Sequence, residues 1–358
     1  MKPLERKEPP DFERFLKVIR RQGGRGYVPF FELCIDERHF APLSGLQPPQ
    51  GLNFIPTSAT FEASFAFYLN CMARMGFDHG TINLCGFRGF PAHRHGVPGT
   101  QRGFALADDA LIRSWKDFED YPWPAAGDID AEAMERTARL APDGLGVMTG
   151  SEAPFQTLTM ILGVTGMSML LYDEPDLVRA VADRIGSVLL EVYDLVASLP
   201  FVRGVQISGD MGHKTGTLVA PQILREMILP WHKRFVDAVH RHGKIAILHS
   251  CGNLADIMDD LVACGYDAKH SYEDTLVPDQ FEMHRRYGRR ICLIGGIDVD
   301  FLARADEQAI RRRVREYIDR LGPEGGYILG SGNSIPEYVP TENYRALLDE
   351  GLRYGRAS

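Results

Sequence analysis

The sequence predicts an α/β chain folded as a single (β/α)8 TIM barrel, with an N-terminal helical extension and a long loop after the second strand. Three observations lead there. Eight short apolar stretches alternate with longer amphipathic ones along the 358 residues. Each short stretch is a nearly continuous apolar run, as in parallel strands covered on both faces. Polar or ionisable residues follow nearly every one, at the end where such barrels carry their chemistry. A doubly wound open sheet is the alternative, but no Gly-X-Gly-X-X-Gly follows the first strand.

Residues 1–25 read as a polar arm and a helix, since 11–22 places Phe12, Phe15, Leu16 and Ile19 on one side. Strands are expected at 27–32, 80–86, 144–150, 202–208, 244–249, 266–270, 291–296 and 327–331. Helices are expected at 60–75, 174–199, 221–242, 253–264, 308–320 and 341–354. Pro221 and Thr341 stand where helix starts favour proline or a hydroxyl cap, and Gly243 and Gly265 close helices. The Gly-, Pro-, His- and Arg-rich segment 87–123 reads as a loop over the barrel mouth, leaving residues 1–358 as one domain.

Composition narrows the function. The chain is 44% hydrophobic and 25% charged, as globular proteins are. No stretch approaches the ~20 apolar residues of a membrane span, and the charged N-terminus lacks a signal-peptide core. Six cysteines without short regular spacing suggest no disulfide framework, so the expectation is cytoplasmic. A net charge of −8 and the lack of a basic helix argue against nucleic acid.

The most informative stretch is Lys244-Ile-Ala-Ile-Leu-His-Ser-Cys-Gly252. Residues two apart on an extended chain point the same way, so His249 and Cys251 can converge beyond a strand end. Imidazole and thiolate are a favoured ligand pair for zinc. A buried histidine with a satisfied hydrogen bond and a small apolar cysteine are the structural alternative. A third ligand must come from another strand exit, and these carry Glu32, Cys85, Glu152, Asp210, His270 with Glu273, Asp298, and Ser331 with Asn333. Glu32 is the first choice, because a carboxylate at the first strand end can reach the barrel axis; Cys85 and His270 follow. Asp210 either orients a metal ligand, accepts a substrate hydrogen, or closes a loop. His270 is either a general acid/base or a hydrogen-bonding residue across the mouth. Asp298, beside Gly295-Gly296, and the run Ser331-Gly-Asn333-Ser are candidates for substrate contact, or ordinary bends and turns. His93-Arg94-His95 could draw in an anion or lie as exposed loop. His232, His240 and His242 are expected to face solvent.

With these residues in place, the chain resembles the uroporphyrinogen decarboxylase superfamily, in its methyltransferase-like branch. The resemblance rests on Ala153-Pro-Phe, Ile207-Ser-Gly-Asp210, Leu229-Pro-Trp231, Leu248-His-Ser-Cys-Gly-Asn253, Ile294-Gly-Gly-Ile-Asp298, Ile328-Leu-Gly-Ser-Gly332 and Pro340-Thr-Glu-Asn343. It implies a (β/α)8 barrel of one of two kinds. One decarboxylates porphyrinogen acetate arms without a cofactor. The other, similar to methylcobamide:coenzyme M methyltransferases, moves methyl groups to or from a corrinoid using zinc.

The decarboxylase pattern is departed from at several points. The resemblance implies an Arg-Gln-Ala-Gly-Arg-Tyr clamp after the first strand, where this chain has Phe30-Phe-Glu-Leu33; Arg21-Gln-Gly-Gly-Arg-Gly-Tyr27 precedes the strand. The family's catalytic aspartate would fall near Leu84–Cys85, and its last-strand histidine at Ser331. In the methyltransferase pattern His249 and Cys251 match the first two zinc ligands, and the third, a cysteine, falls at Asn333. The expectation is zinc-dependent methyl transfer between a small methyl donor, such as a methoxy compound, and a corrinoid on a partner protein. Zinc would be held by His249, Cys251 and Glu32, and a homodimer is expected. The alternatives are a metal-free lyase and a barrel that binds a tetrapyrrole or corrinoid without chemistry.

Overall fold

The computed structural model describes residues 2–6, 8–22, 26–55, 58–92, 94–96, 104–106, 110–272 and 278–356, with the backbone alone for 94–96 and 104–106. Seven parallel strands form one curled sheet in chain order: His79–Thr81, Gly146–Glu152, Val202–Ser208, Ile245–His249, Ala268–His270, Cys292–Ile294 and Tyr327–Ile328. Each lies inside or within two residues of an expected strand.

The first expected strand, 27–32, is not a ladder strand. It makes a parallel bridge, Phe30 to Leu329, closed by Phe31 N–H to Leu329 O at 3.0 Å and Leu329 N–H to Pro29 O at 2.9 Å. Pro29 has no N–H to extend the ladder towards Tyr327. The Phe31 ring nonetheless sits 5.0 Å from the His79 ring and 5.3 Å from that of His270. The segment thus lies between the two edges of the curled sheet, and the architecture is TIM-barrel-like.

Alternation sorts the strand residues into two cores. Val147, Val205, Ile207, Ala246, Leu248 and Leu293 pack outwards with helix residues such as Val181, Ile185 and Phe235. Met148, Ile245, Ile247, Ala268, Cys292, Ile294 and Ile328 pack inwards with Phe12, Phe15 and Phe31. The N-terminal helix Phe12–Ile19, capped by Asp11, therefore plugs the N-terminal end of the sheet.

The expected helices fall where the apolar periodicity puts them, with local chemistry setting their ends. Pro175 opens Pro175–Ser198 at its first turn. Pro230 supplies no N–H to the preceding turn, and the helix from Pro221 to Arg241 carries a wide π-turn at Leu224–Ile228 just before it. Thr341 is the first residue of Thr341–Tyr354 rather than its cap, and its hydroxyl lies 2.9 Å from His39 Nδ1. Phe40–Ser44, Ala131–Ala138, Pro154–Leu162, Val164–Asp173, Gln280–Tyr287 and Val299–Arg304 lie outside the expected ranges; Asp279 and Asp298 cap the last two. Within 87–123 the described residues include an antiparallel pair, Arg94–Gly96 with Phe104–Leu106, and the helix Trp115–Asp120. Among the described residues no single helix is long and apolar enough to cross a membrane.

Candidate metal centre

Strand register places four side chains in one row at the C-terminal edge of the sheet. Glu152 pairs with Ser208, Ser208 with His249, and His249 with His270. Paired residues share a face, and Met148, Ile247 and Ala268, two or four residues earlier on these strands, belong to the interior cluster. The row therefore faces inwards.

Beyond His249 the chain turns at Gly252, where φ is 80° and a Cβ would lie 2.3 Å from the Gly212 carbonyl carbon. Only glycine tolerates both conditions. The turn packs against the loop after Ser208, where Asp210 Oδ1 accepts the Cys251 N–H at 2.8 Å. One oxygen of Asp210, one nitrogen of His249 and the sulfur of Cys251 consequently lie within 4.8 Å of one another. His249 Nε2 is 3.7 Å from Asp210 Oδ1 and 3.5 Å from Cys251 Sγ.

Hydrogen bonds behind His249 assign its tautomer. The Ser331 carbonyl can only accept, so its 3.3 Å bond to His270 Nε2 puts the proton on that nitrogen. A neutral His270 then offers its Nδ1 lone pair to His249, whose Nδ1–H donates across 2.8 Å. His249 Nε2 is left as an acceptor facing Asp210 and Cys251, within reach of the Cys251 thiol hydrogen. Both rings are held neutral. Burial, then the nearby Lys269 charge, lowers His249 to about 3. Burial, then His249, holds His270 well below the ordinary imidazole value. A ligand nitrogen oriented from behind by a hydrogen bond is a common arrangement in metal sites.

Imidazole nitrogen, sulfur and carboxylate oxygen suit zinc, with a fourth position left for substrate. The Asp210 side chain keeps 40% of its surface exposed and Cys251 is half-buried, so the trio opens outwards. Asn333 does not join as a ligand; its Nδ2–H donates to Cys251 Sγ at 3.1 Å.

Other expected site residues are placed elsewhere. Among the described residues the cluster that could hold a metal comprises Asp210, His249 and Cys251 and does not include Glu32. Both Glu32 oxygens face Ser331, accepting its N–H at 3.0 Å and its hydroxyl at 2.5 Å. Burial pushes the Glu32 carboxyl up to about 8, against those two bonds. Ser331 is fully buried and serves Glu32 and His270 rather than the mouth. Asp298 caps its helix, accepting the Phe301 N–H at 2.9 Å. The neighbouring glycines admit the protein's own groups: a Cβ on Gly296 would lie 1.5 Å from Gln280 Oε1, and one on Gly295 2.3 Å from Ser331 O. His270 is fully buried and backs His249. Cys85 is buried away from the trio. His232 does not face solvent; it is buried with Nδ1 2.6 Å from Tyr266 Oη. His93 and Glu273 lie outside the described residues.

A model of the uroporphyrinogen decarboxylase family matches residues 106–354. The chain belongs to that family. Similar curated proteins include the uroporphyrinogen decarboxylase of Anaeromyxobacter dehalogenans (strain 2CP-C), 27% identical over 194 residues, 54% of this chain and 53% of that protein. The enzyme of that name from Anaeromyxobacter sp. (strain Fw109-5) is 26% identical over 188 residues, 52% of this chain and 51% of that protein. The chain thus matches about half the length of these relatives. Among solved structures, a methyltransferase from Methanosarcina mazei shares the fold with a TM-score of 0.71 at 17% identity, covering 94% of this chain and 96% of that one.

Lys269 was not singled out from the sequence, where it stands among Asp267 and His270 on a mixed stretch; the structure buries it with both neighbours on Ala268–His270. A cavity of about 680 Å³ lies at the opposite end of the sheet, lined by Arg21, Arg285, Arg289 and Arg320. Three of these arginines already face Glu282, Glu324 and Glu316.

Proposed function

We propose that this family member is a zinc-dependent methyltransferase, moving a methyl group between a small methoxy-type substrate and a corrinoid carried by a separate protein. The reading rests on one observation: Asp210, His249 and Cys251 meet at the strand ends with the unprotonated His249 Nε2 turned towards the other two. The structurally similar Methanosarcina mazei protein, a methyltransferase, supports it. In this reading 27–32 is the first stave of an eight-staved barrel.

Held by these three side chains, zinc would supply Lewis acidity towards an ether or alcohol oxygen. The chain's own residues tune that. A single sulfur donates less charge than the paired thiolates the resemblance implies, and the Asn333 N–H bond withdraws more of it. Asp210 completes a harder ligand set suited to oxygen rather than to a thiol. Ser208, paired with His249 in the same inward row, carries a hydroxyl that accepts from Gln206 Nε2 at 2.9 Å and can orient substrate.

Metal analysis of protein purified without chelators tests this, beside His249→Ala, Cys251→Ser and Asp210→Asn. Near-stoichiometric zinc is expected in the native chain, lost in the first two and weakened in the third. Native protein without metal removes the reading. Methyl transfer from methylcobalamin to a thiol, with no action on methoxy compounds, would overturn the substrate side. Cofactor-free decarboxylation is the second reading, favoured by the names of the curated relatives; turnover surviving His249→Ala would support it.

A further inference from the structure

We infer that Lys269 is the positioning residue of this site, stapling together the two strand ends that carry His249–Cys251 and His270 beyond the last rung of their ladder. Lys269 is 1% exposed. It neighbours His270 on the strand and so points to the opposite face, away from the interior. Its ammonium donates to the Ser250 carbonyl at 3.1 Å and to the Ser271 carbonyl. It also lies 4.0 Å from the centre of the Tyr272 ring. Among the described residues the ammonium thus meets two carbonyls, which suit its N–H donors, and a ring face, which suits a desolvated cation.

The position of these partners gives the contact its role. The last register pair between the two strands is His249 with His270, followed by Ser250 N–H to His270 O at 2.8 Å. Past that bond one chain enters the Cys251–Gly252 turn and the other runs on through Ser271. Ser250 lies between His249 and Cys251, and its hydroxyl accepts the Met211 N–H at 3.0 Å. Holding Ser250 therefore holds the two ligands that flank it and the loop that carries Asp210. Burying an ammonium is costly unless it is fully bonded, and an aliphatic side chain would fill the same space without that cost. The bonds to the two carbonyls are a task an aliphatic side chain could not perform.

The cobalt readout below rests on the proposed metal reading; the imidazole readout does not. Cobalt(II) is titrated into the metal-free full chain and into Lys269→Met and Lys269→Arg, with far-ultraviolet circular dichroism as the fold control. The His249 Nδ1–H is followed by long-range proton–nitrogen spectroscopy without metal. Lys269→Met is expected to fold, to bind cobalt at least about tenfold more weakly with an altered absorption spectrum, and to lose the shared imidazole proton signal. Lys269→Arg, which keeps donors and charge, is expected to recover much of both. Native affinity, spectrum and imidazole signal in Lys269→Met would overturn the inference. If the native chain binds no cobalt, the metal reading fails and the imidazole signal alone decides: its loss in Lys269→Met supports the staple and its retention refutes it. Should Lys269→Met not fold, Lys269→Gln, which keeps N–H donors without charge, takes its place under the same criteria.

Discussion

His249 and His270 face each other through their Nδ1 atoms at 2.8 Å, and a neutral pair at that distance holds one proton between them. The Ser331 carbonyl behind His270 decides which ring donates it. Nitrogen spectroscopy is expected to show His249 protonated at Nδ1 and His270 at Nε2. His270→Asn, which cannot complete the chain from Ser331, is expected to weaken zinc binding by roughly 10- to 100-fold. Unchanged affinity would show that the pair does not orient the ligand.

Both rings are held below their ordinary basicity by burial. Each therefore contributes stability that is complete above about pH 6.5 and is lost as pH falls, for His249 down through about 3. Urea midpoints of the metal-free chain are expected to drop between about pH 6.5 and 4. His270→Asn should start lower at neutral pH but decline less steeply. Parallel slopes would place the acid sensitivity in other groups.

Glu32 acts in the opposite direction. Its folded value of about 8 lies above its ordinary one, so its contribution is complete below about pH 4.3 and falls away as pH rises through 8. Glu32→Gln can accept from the Ser331 N–H and donate to its hydroxyl. Its melting temperature is expected to gain on that of the native chain as pH rises from about 6 to 8.5. A constant difference across that range would mean the carboxyl is already ionised.

Asn333 reaches the trio through sulfur, 3.1 Å from Cys251 Sγ. Asn333→Cys would put a second thiolate beside the first. Zinc is expected to bind about tenfold or more tightly, with slower demethylation of methoxy substrates because sulfur softens the ion. Faster demethylation would contradict the argument about ligand hardness.

Phe15 is fully buried, with its ring 5.0 Å from that of His79. Phe15→Ala is expected to cost about 3–5 kcal/mol in urea unfolding. A loss below about 1 kcal/mol would mean that the helix plug is dispensable.

Where sequence and structure agree, the reason is period. Val202–Ser208 and Thr341–Tyr354 fall at the expected bounds because their apolar spacing is regular and their ends are marked. That His249 and Cys251 converge was legible, because residues two apart at a strand end point the same way. Less was legible wherever a side chain could serve either the chain or a ligand. Asp298 and Ser331 stand at strand exits like Asp210, yet one caps a helix and the other bonds Glu32. Glu32 was preferred as a ligand because strand order says which exits face inwards but not which loops touch. The contact between the Asp210 loop and the Cys251 turn joins residues 41 apart, and local pattern carries no trace of it.

Ring contacts run from Phe15 through His79 and Phe31 to His270. The amino-terminal helix is thereby tied through aromatic neighbours to the imidazole pair, so a shift of one would be felt at the other.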